Sequence, residues 1–179
     1  GFHIAMEDNG GRCVLACEKD TYSRKTYISN FNNVYPHLND KSFFPDDVTA
    51  IIPENIPDFD LLCGGFPCQA FSNAGKQLGF EDARGTLFFD IARIVQIKQP
   101  KVFFLENVKN LTKHDNGKTF EIIKNTINEL GYKLYYKVLN ASDYGVPQAR
   151  KRVYLIGFKD KDVHFNFPDT QLLKLTMSD

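Results

Sequence analysis

Short apolar runs alternate with amphipathic stretches along this chain of 179 residues, and the alternation restricts the folds that it can adopt. The runs at 59–63 and 102–105 have the length and composition of buried strands. Between them, apolar residues recur with the period of a helix, and Pro100 marks its end. Repeated β-α units of this kind predict an α/β domain with a doubly wound, mainly parallel sheet.

The rest of the chain continues the alternation. Before the first run, the pattern predicts a helix at 2–8, a strand at 13–17, a helix from the cap residue Asp20 to about Asn30, and a short strand around Asp47 and Val48. After the second run, it predicts a helix at 120–130 that Gly131 ends, and strands at 132–139 and 152–158 around a turn at 143–147. Polar residues fall at or just after four of the predicted strands: Glu18, Asp47, Cys68 and Glu106. Such strand ends share one edge of a parallel sheet, where ligands bind.

Composition argues against several classes of protein. Acidic and basic residues balance at 22 each, so net charge does not indicate a polyanion partner, although a local basic patch can still bind phosphates. Cys13 and Cys17 lie along a predicted strand with no histidine nearby, and the four cysteines do not form a secreted disulfide pattern. We therefore expect no metal site. Without a signal peptide or an apolar run of about 20 residues, we expect a cytoplasmic location and no membrane partner.

Cys68 follows the first apolar run, in the segment Gly-Gly-Phe-Pro-Cys-Gln-Ala-Phe-Ser at 64–72. Its position fits a nucleophile at a strand end, and it fits a small buried apolar residue equally well. Gln69 and Ser72 add hydrogen-bonding groups beside it. The loop at 73–85 has three glycines and mixed charge, which predicts a mobile lid over this region.

Other charged residues extend the candidate site. Glu106 directly follows a buried strand, so it needs a partner or a raised pKa; the alternative is a structural hydrogen bond that involves Asn107. Glu18 suits the hydroxyls of a ribose, and the alternative is a solvated charge at the start of a helix. Arg150 and Arg152 can orient an anion or a base carbonyl, although a basic run is usually a solvated surface.

Four ordered motifs resemble those of the cytosine-C5 DNA methyltransferases of bacterial restriction-modification systems. They are Gly-Phe-Pro-Cys-Gln at 65–69, Phe-Glu-Asp at 80–82 with Arg-Gly-Thr-Leu-Phe-Phe at 84–89, Glu-Asn-Val at 106–108, and Asp-Tyr-Gly-Val-Pro-Gln at 143–148 before Arg150 and Arg152. The resemblance covers nearly the whole chain. It implies a Rossmann-like fold that binds S-adenosylmethionine.

The resemblance also implies a reaction, in which C5 of a cytosine flipped out of double-stranded DNA receives the methyl group of S-adenosylmethionine. Cys68 would add to C6 and later leave by elimination, with S-adenosylhomocysteine as the second product. Glu106 would hydrogen-bond N3 and the exocyclic amine, Arg152 would contact O2, and Arg150 would support the thiolate side. The residues expected at the substrate and in the lid are Gln69, Ser72, Lys76, Arg84, Asn107 and Gln148.

For the cofactor, the resemblance assigns the ribose to Glu18 and the adenine edge to Asp47 and Val48. The other residues expected around the cofactor are Gly1, Phe2, Lys19, Pro67 and Leu87. Lys19 stands where the family often has an aromatic residue, so we expect weaker stacking on the adenine.

Two parts of the family pattern do not occur in the sequence. The opening strand with its Phe-x-Gly-x-Gly loop is missing before Gly1, and the target-recognition domain is missing after the last strand. The expectation is a single catalytic domain at 1–179, truncated at both ends. Three interpretations stay open. The chain is the catalytic part of a DNA methyltransferase, an RNA cytosine methyltransferase of the same fold, or an inactive fragment or split half that pairs with a complementary chain or with itself through a sheet edge.

Overall fold

The computed structural model describes residues 1–67 and 87–171, and its contacts divide them into two compact units. The first unit comprises Gly1–Phe59 and Leu87–Lys98. The second comprises the described residues at 60–67 and 99–171. Five residues of the predicted site lie outside the described ranges: Cys68, Gln69, Ser72, Lys76 and Arg84.

The first unit is built from helices and short 3₁₀ turns. Its elements are α1 (Phe2–Glu7), α2 (Thr21–Phe31), α3 (Leu87–Lys98) and 3₁₀ turns at Pro36–Asn39, Val48–Ala50 and Pro53–Asn55. Helix α2 begins where the sequence predicts, because the Asp20 side chain accepts a hydrogen bond from the Ser23 amide at 2.7 Å. Helix α3 packs against the turns at Val48–Ala50 and Pro53–Asn55.

The prediction of a strand at 13–17 is wrong. This segment is extended, but within the described residues it forms no strand ladder. Its backbone bonds to an irregular segment instead: Ala16 N donates to Phe43 O at 3.0 Å, and Glu18 N donates to Pro45 O at 3.3 Å. An apolar run becomes a strand only where a neighbouring chain offers a matching row of donors and acceptors, and a proline interrupts that row.

The short strand predicted around Asp47 and Val48 is also wrong. Asp47 caps the 3₁₀ turn Val48–Ala50 instead, and its Oδ1 accepts hydrogen bonds from the Thr49 amide at 2.9 Å and the Thr49 hydroxyl at 2.8 Å. Aspartate competes well for nearby backbone amides, so it favours turns and caps over strands.

The second unit contains the sheet. Its strands are β1 (Leu61–Gly65), β2 (Val102–Val108), β3 (Lys133–Asn140) and β4 (Lys151–Phe158), in the order β1-β2-β4-β3. Helix α4 (Lys118–Glu129) and a 3₁₀ segment at Lys109–Gly117 follow β2. Strands β1 and β2 pair in parallel, whereas β4 pairs antiparallel with both β2 and β3.

The α/β class is therefore confirmed, but the described sheet is mixed rather than mainly parallel. The reason lies in the connection between β3 and β4, which contains the short turn at Ala141–Asp143 and Gly145 with φ +79°. A short turn can join only antiparallel strands, because a parallel pair needs a long crossover.

The two faces of the sheet differ. Phe103 and Leu105 of β2 share one face with Val153 and Leu155 of β4, and each of these side chains is at most 2 % exposed. The intervening residues line an apolar concavity of about 580 Å³ on the other face. Its lining residues are Leu61, Val102, Phe104, Leu139, Ala141, Tyr144, Val146, Tyr154, Ile156, Phe158, Phe165, Phe167 and Pro168.

Gly157 tests the packing of the buried face. It pairs with Phe103 across β2 and β4, and a Cβ atom at this position would lie 2.1 Å from Phe103 Cζ. The Phe103 ring packs against Tyr132, with ring centroids 5.2 Å apart, so it has little room to move. We expect Gly157→Ala to lower the free energy of unfolding by about 1–3 kcal/mol, measured by urea denaturation. Gly64→Ala is the control, because a Cβ there meets no heavy atom of the described residues within 4 Å; equal losses in the two variants would contradict this account.

Candidate active site

Glu106 lies inside strand β2, not beyond its end as the sequence predicts, because β2 continues to Val108. Register places it beside Gly65 of β1 and Tyr154 of β4. The Glu106 side chain is 22 % exposed, so its carboxylate is partly buried and still accessible. Strand β1 ends at Gly65, three residues before Cys68 in the sequence. Glu106 therefore lies beside the strand that leads to the predicted nucleophile.

Two arginines of the predicted site contact the Glu106 carboxylate. Oε1 lies 3.0 Å from Arg152 Nε and 3.4 Å from Arg150 Nη2. Oε2 points towards β1, since it lies 3.6 Å from the position that a Cβ of Gly65 would take. Charge-assisted hydrogen bonds fix the orientation of a carboxylate. Glu106 thus has the partner that its burial requires, and one of its oxygens faces the start of the segment that carries Cys68.

Asn107 is the neighbouring residue on β2, and its side chain is engaged with the backbone. It is 3 % exposed, its Nδ2 donates to Phe66 O at 2.7 Å, and its Oδ1 accepts from Val108 N at 2.7 Å. These contacts support the structural role weighed for Asn107 in the sequence. A direct contact of Asn107 with a substrate stays a prediction. The bond to Phe66 fastens β2 to the chain that enters Pro67.

The turn predicted between the last two strands is confirmed, and it presents Gln148 and Arg150. Gln148 is exposed; its amide donates to Val146 O at 2.7 Å, and its carbonyl accepts from Arg150 N at 2.9 Å. Arg150 in turn accepts a hydrogen bond from the amide of Ala141 at 3.0 Å. These backbone bonds close the turn and set the direction from which Arg150 reaches Glu106. A contact of Gln148 with substrate stays a prediction.

The residues expected around the ribose and adenine lie together in the first unit. Lys19 Nζ is 3.6 Å from Asp47 Oδ2, and Glu18 Oε1 accepts a hydrogen bond from the Asp20 amide at 2.9 Å. Hydrogen bonds from Thr49, and to a lesser degree the charge of Lys19, hold the pKa of Asp47 below its usual value. The Asp47 carboxylate is therefore placed to accept hydrogen bonds near neutral pH.

The other expected cofactor residues are divided between the units. Gly1 is the N-cap of α1, Phe2 is its first residue, and Leu87 is the first residue of α3, all in the first unit. Pro67 belongs to the second unit and is exposed. Their joint role around a cofactor stays a prediction.

The side chains of Glu18, Lys19 and Asp47 fit the ribose and adenine end of a nucleoside cofactor. A carboxylate has two oxygens that accept hydrogen bonds; Oε1 of Glu18 accepts one from the Asp20 amide, and Oε2 is chemically suited to accept one from a ribose hydroxyl. The Lys19 side chain is 83 % exposed and can lay its aliphatic stem against an adenine face. The residues present are thus compatible with S-adenosylmethionine.

The four motifs identified in the sequence agree with a comparison to known protein families. The sequence profile of the C-5 cytosine-specific DNA methylase family matches residues 1–178. The chain belongs to this family. The family expectation drawn from the four motifs is confirmed.

Individual relatives of this chain are named Type II methyltransferases. Type II methyltransferase M.HhaI of Haemophilus parahaemolyticus is 53 % identical over 171 residues, which is 94 % of this chain and 49 % of the relative. M.NgoBI of Neisseria gonorrhoeae is 50 % identical over 169 residues, which is 94 % of this chain and 50 % of the relative. The chain therefore spans about half the length of the curated relatives that it matches.

Solved structures give the same fold. DNMT2 of Spodoptera frugiperda, as an E260A/E261A/K263A mutant, superposes with a TM-score of 0.70 at 23 % identity and covers 97 % of this chain and 51 % of that chain. A putative DNA modification methyltransferase encoded within an E. coli prophage gives a TM-score of 0.67 at 25 % identity, with coverages of 89 % and 44 %. The Rossmann-like fold of the C-5 methylases is thus confirmed.

Sequence reasoning missed an arginine that supports the turn beside Asp47. Arg93 of α3 donates through Nη1 to Ile51 O at 2.8 Å and through Nη2 to Val48 O at 3.4 Å. The guanidinium therefore fixes the turn that directly follows Asp47. A lone arginine in an amphipathic helix gives no local signal of this role, although its position between the buried residues Ile91 and Ile94 hints at an inward direction.

Within the described ranges, two further kinds of site are absent. No group of three or more His, Cys, Asp or Glu side chains could hold a metal ion in residues 1–67 and 87–171. No helix in the same part of the chain is long and apolar enough to cross a membrane; α3 and α4 have 12 residues each.

Cys63 provides a prediction about thiol reactivity in this methylase. Burial raises the pKa of its thiol to about 11, so at pH 8 only about one molecule in a thousand carries the thiolate. We expect iodoacetamide to alkylate Cys63 far more slowly than free cysteine at pH 8, with a rate that rises about tenfold per pH unit up to pH 11. Mass spectrometry of the Cys63 peptide measures this rate. Alkylation at pH 8 as fast as that of free cysteine would contradict the effect of burial.

Proposed function

We propose that this chain is the catalytic part of a DNA (cytosine-5-)-methyltransferase of a restriction-modification system. The arrangement of Glu106 carries the proposal: two arginines hold its carboxylate beside the strand that leads to Cys68. A thiol that follows one strand in the sequence and a carboxyl group on the neighbouring strand suit attack on a pyrimidine ring and proton transfer at that ring. The description of the matched family, C-5 cytosine-specific DNA methylase, supports DNA as the substrate.

In the proposed reaction, Cys68 supplies the electron pair. Its thiolate forms a bond to C6 of cytosine, and the electrons of the C5–C6 double bond move to C5, which becomes nucleophilic. After methyl transfer, a base removes the proton from C5, the double bond forms again, and the C6–S bond breaks with return of the electron pair to sulfur. An ordinary cysteine has a pKa of about 8.5, so the site has to favour the thiolate.

Glu106 and the two arginines would stabilise the ring during this addition. Negative charge that arrives with the thiolate spreads to N3 and O2 of the base. Glu106 would hydrogen-bond N3 and the exocyclic amine of the base. Arg152 uses Nε for Glu106 and Nη1 for Lys151 O at 2.9 Å, and a guanidinium has five donors, so it can still reach O2. Arg150, the more exposed of the two, would support the thiolate side.

The residues of the first unit would bind the cofactor. Glu18 would accept hydrogen bonds from the ribose hydroxyls, Asp47 and Val48 would meet the adenine edge, and Gly1, Phe2, Lys19 and Leu87 would lie around it. S-adenosylmethionine, when bound, supplies an electrophilic methyl group.

Double-stranded DNA would present the target cytosine flipped out of the helix, because C5 and C6 are not accessible within the stack. Lys76 and Arg84 would contact DNA from the lid after Cys68, and Gln69, Ser72 and Gln148 would surround the base. If this lid excludes water from the target cytosine, the electrostatic contacts between Glu106 and the cytosine ring become stronger.

Transfer and trapping experiments test the proposed function in the complete protein. Tritium from methyl-labelled S-adenosylmethionine should appear in duplex DNA that contains cytosine. A duplex with 5-fluorocytosine should form a covalent complex that survives denaturation, because fluorine at C5 blocks the final elimination. Transfer to RNA but not to DNA would favour an RNA cytosine methyltransferase. If neither methyl transfer nor a covalent complex is observed, the result would favour the interpretation as an inactive fragment.

The apolar concavity of the second unit supports a second candidate, a methyltransferase that is assembled from two chains. The proposed occupant is a complementary methyltransferase polypeptide with an apolar surface, because the side chains that line the concavity are almost all apolar. Contiguous apolar surface of this kind marks sites of interaction with another element or partner. Sedimentation of the chain with and without the second half tests this. A heterodimer would support the candidate, a homodimer would favour self-association through a sheet edge, and monomers in both cases would contradict both.

A further inference from the structure

Arg24 of α2 joins two segments of the first unit that carry the expected cofactor residues. Its Nη1 donates to Glu18 O at 3.0 Å and to Pro45 O at 2.8 Å, and its Nη2 donates to Phe44 O at 2.7 Å. The guanidinium carbon lies 4.1 Å from the centroid of the Phe44 ring. Phe44 is 1 % exposed, so the cation rests on a fixed surface. One side chain therefore binds three backbone carbonyls of two separate segments.

The two segments need this support because their own pairing is short. Beyond the bond from Ala16 N to Phe43 O, the next contact is the longer bond from Glu18 N to Pro45 O. Proline has no amide proton, so Pro45 cannot return a hydrogen bond and a strand ladder cannot continue. Arg24 supplies additional donors to the carbonyls of both segments at this point.

The position of Arg24 is itself well fixed. Its amide donates to Asp20 O at 2.9 Å in the first turn of α2, and Asp20 caps that helix. A planar guanidinium with donors on both sides can bridge several carbonyls at once, whereas a lysine ammonium acts as a single point charge. The bridging geometry is thus specific to arginine.

From these contacts we propose that Arg24 is a positioning residue for cofactor binding, which sets Glu18 relative to the segment that leads to Asp47. The inference rests on the proposed function. Glu18 is held through its own carbonyl, and Asp47 follows Pro45 by two residues. Lys19, which directly follows Glu18, reaches Asp47 across the same gap at 3.6 Å. Arg24 would act through these groups and would not itself touch the ligand.

Binding of S-adenosylhomocysteine to the complete protein, measured by calorimetry, tests the role of Arg24. We expect Arg24→Ala to raise the dissociation constant about tenfold, within the coupling expected for residues of one network, and Arg24→Lys to restore little of the loss. Lys25→Ala is the matched control: it removes the same charge from an exposed neighbour on α2 and should leave binding unchanged.

A double-mutant cycle separates positioning from a general loss of structure. If Arg24 acts through Glu18, then Arg24→Ala should have almost no further effect on binding in a Glu18→Gln background. In addition, the amides of Ala16 and Glu18 should exchange with deuterium faster in Arg24→Ala and Arg24→Lys, while amides of α3 stay unchanged. Circular dichroism checks that the variants remain folded, and Arg24→Lys, which keeps the charge and the stem, serves if Arg24→Ala does not fold.

The outcomes distinguish the inference from the function on which it rests. If the wild-type protein binds no S-adenosylhomocysteine, the cofactor part of the proposed function fails, and the role of Arg24 fails with it. If the wild type binds and the Arg24 variants bind equally well, only the role of Arg24 is overturned. If the losses of binding free energy in Arg24→Ala and Glu18→Gln are fully additive in the double variant, the role of Arg24 is also overturned.

Discussion

Replacing Glu106 with glutamine is expected to reduce methyl transfer to cytosine by about 10²–10⁴-fold, the range that general acid–base catalysis contributes. Glutamine has nearly the same shape as glutamate, so it keeps the volume beside Gly65. It cannot give a proton to N3 and later take it back. It also removes the negative charge that Arg150 and Arg152 share. Tritium transfer from labelled S-adenosylmethionine to a cytosine duplex measures the rate.

Glu121→Gln provides the control for this substitution. Glu121 lies on α4 and forms an exposed ion pair with Lys124 at 2.7 Å, so the same chemical change there should leave the rate within about twofold. Because Glu106 is accessible and its partners are too, we expect the Glu106 variant to unfold at nearly the same urea concentration as the wild type. A rate within threefold of the wild type for Glu106→Gln would contradict the catalytic role.

Replacing Cys68 with serine is expected to abolish the covalent complex with a 5-fluorocytosine duplex and to lower methyl transfer by at least about 10³-fold. A serine hydroxyl is almost fully protonated near neutral pH, so it is a far weaker nucleophile towards C6 than a thiolate. Electrophoresis under denaturing conditions shows the complex as a slower band. DNA binding should persist, because the reaction with C6 follows base flipping.

Cys63→Ser is the matched control for the nucleophile. Cys63 lies in β1, five residues before Cys68 in the sequence, and burial keeps its thiol protonated at neutral pH, since its pKa is about 11. Its serine variant should form the complex as the wild type does. A covalent complex that survives in Cys68→Ser and disappears in Cys63→Ser would identify Cys63 as the nucleophile and would contradict the assignment to Cys68.

Helices were the part of the fold that local sequence could predict. Asp20 caps α2 through the Ser23 amide, and Gly131, with φ +87°, follows the end of α4. The apolar period of α3 continues to Lys98, just before Pro100. Each of these signals acts within a few residues, so neighbouring sequence carries it.

Strands were harder, because a strand depends on a partner elsewhere in the chain. The apolar run at 13–17 looks like a strand, yet the segment beside it contains Pro45 and forms no ladder with it. Similarly, the insertion of β4 between β2 and β3 is a property of pairing, and it turned an expected parallel sheet into a mixed one. The extension of β2 past Glu106 has the same origin, since β4 supplies partners as far as Arg152.

Sequence patterns predicted the acidic and basic residues of the candidate site, but they did not predict the arginines that hold the surrounding backbone. Glu106, Arg150 and Arg152 are together, as the order of the motifs suggested. Arg24 and Arg93 were missed, because the carbonyls that they bind lie up to 45 residues away in sequence. No local pattern reports such a distance.

Asn107 gives the proposed chemistry a thermodynamic consequence. Its side chain joins β2, which carries Glu106, to the backbone that immediately precedes Pro67 and Cys68 in the sequence. The entropy of bringing these two parts of the chain together is therefore lost during folding, before any DNA arrives. A flipped cytosine would then meet a pre-organised scaffold, and the energy of DNA binding would remain for extraction of the base.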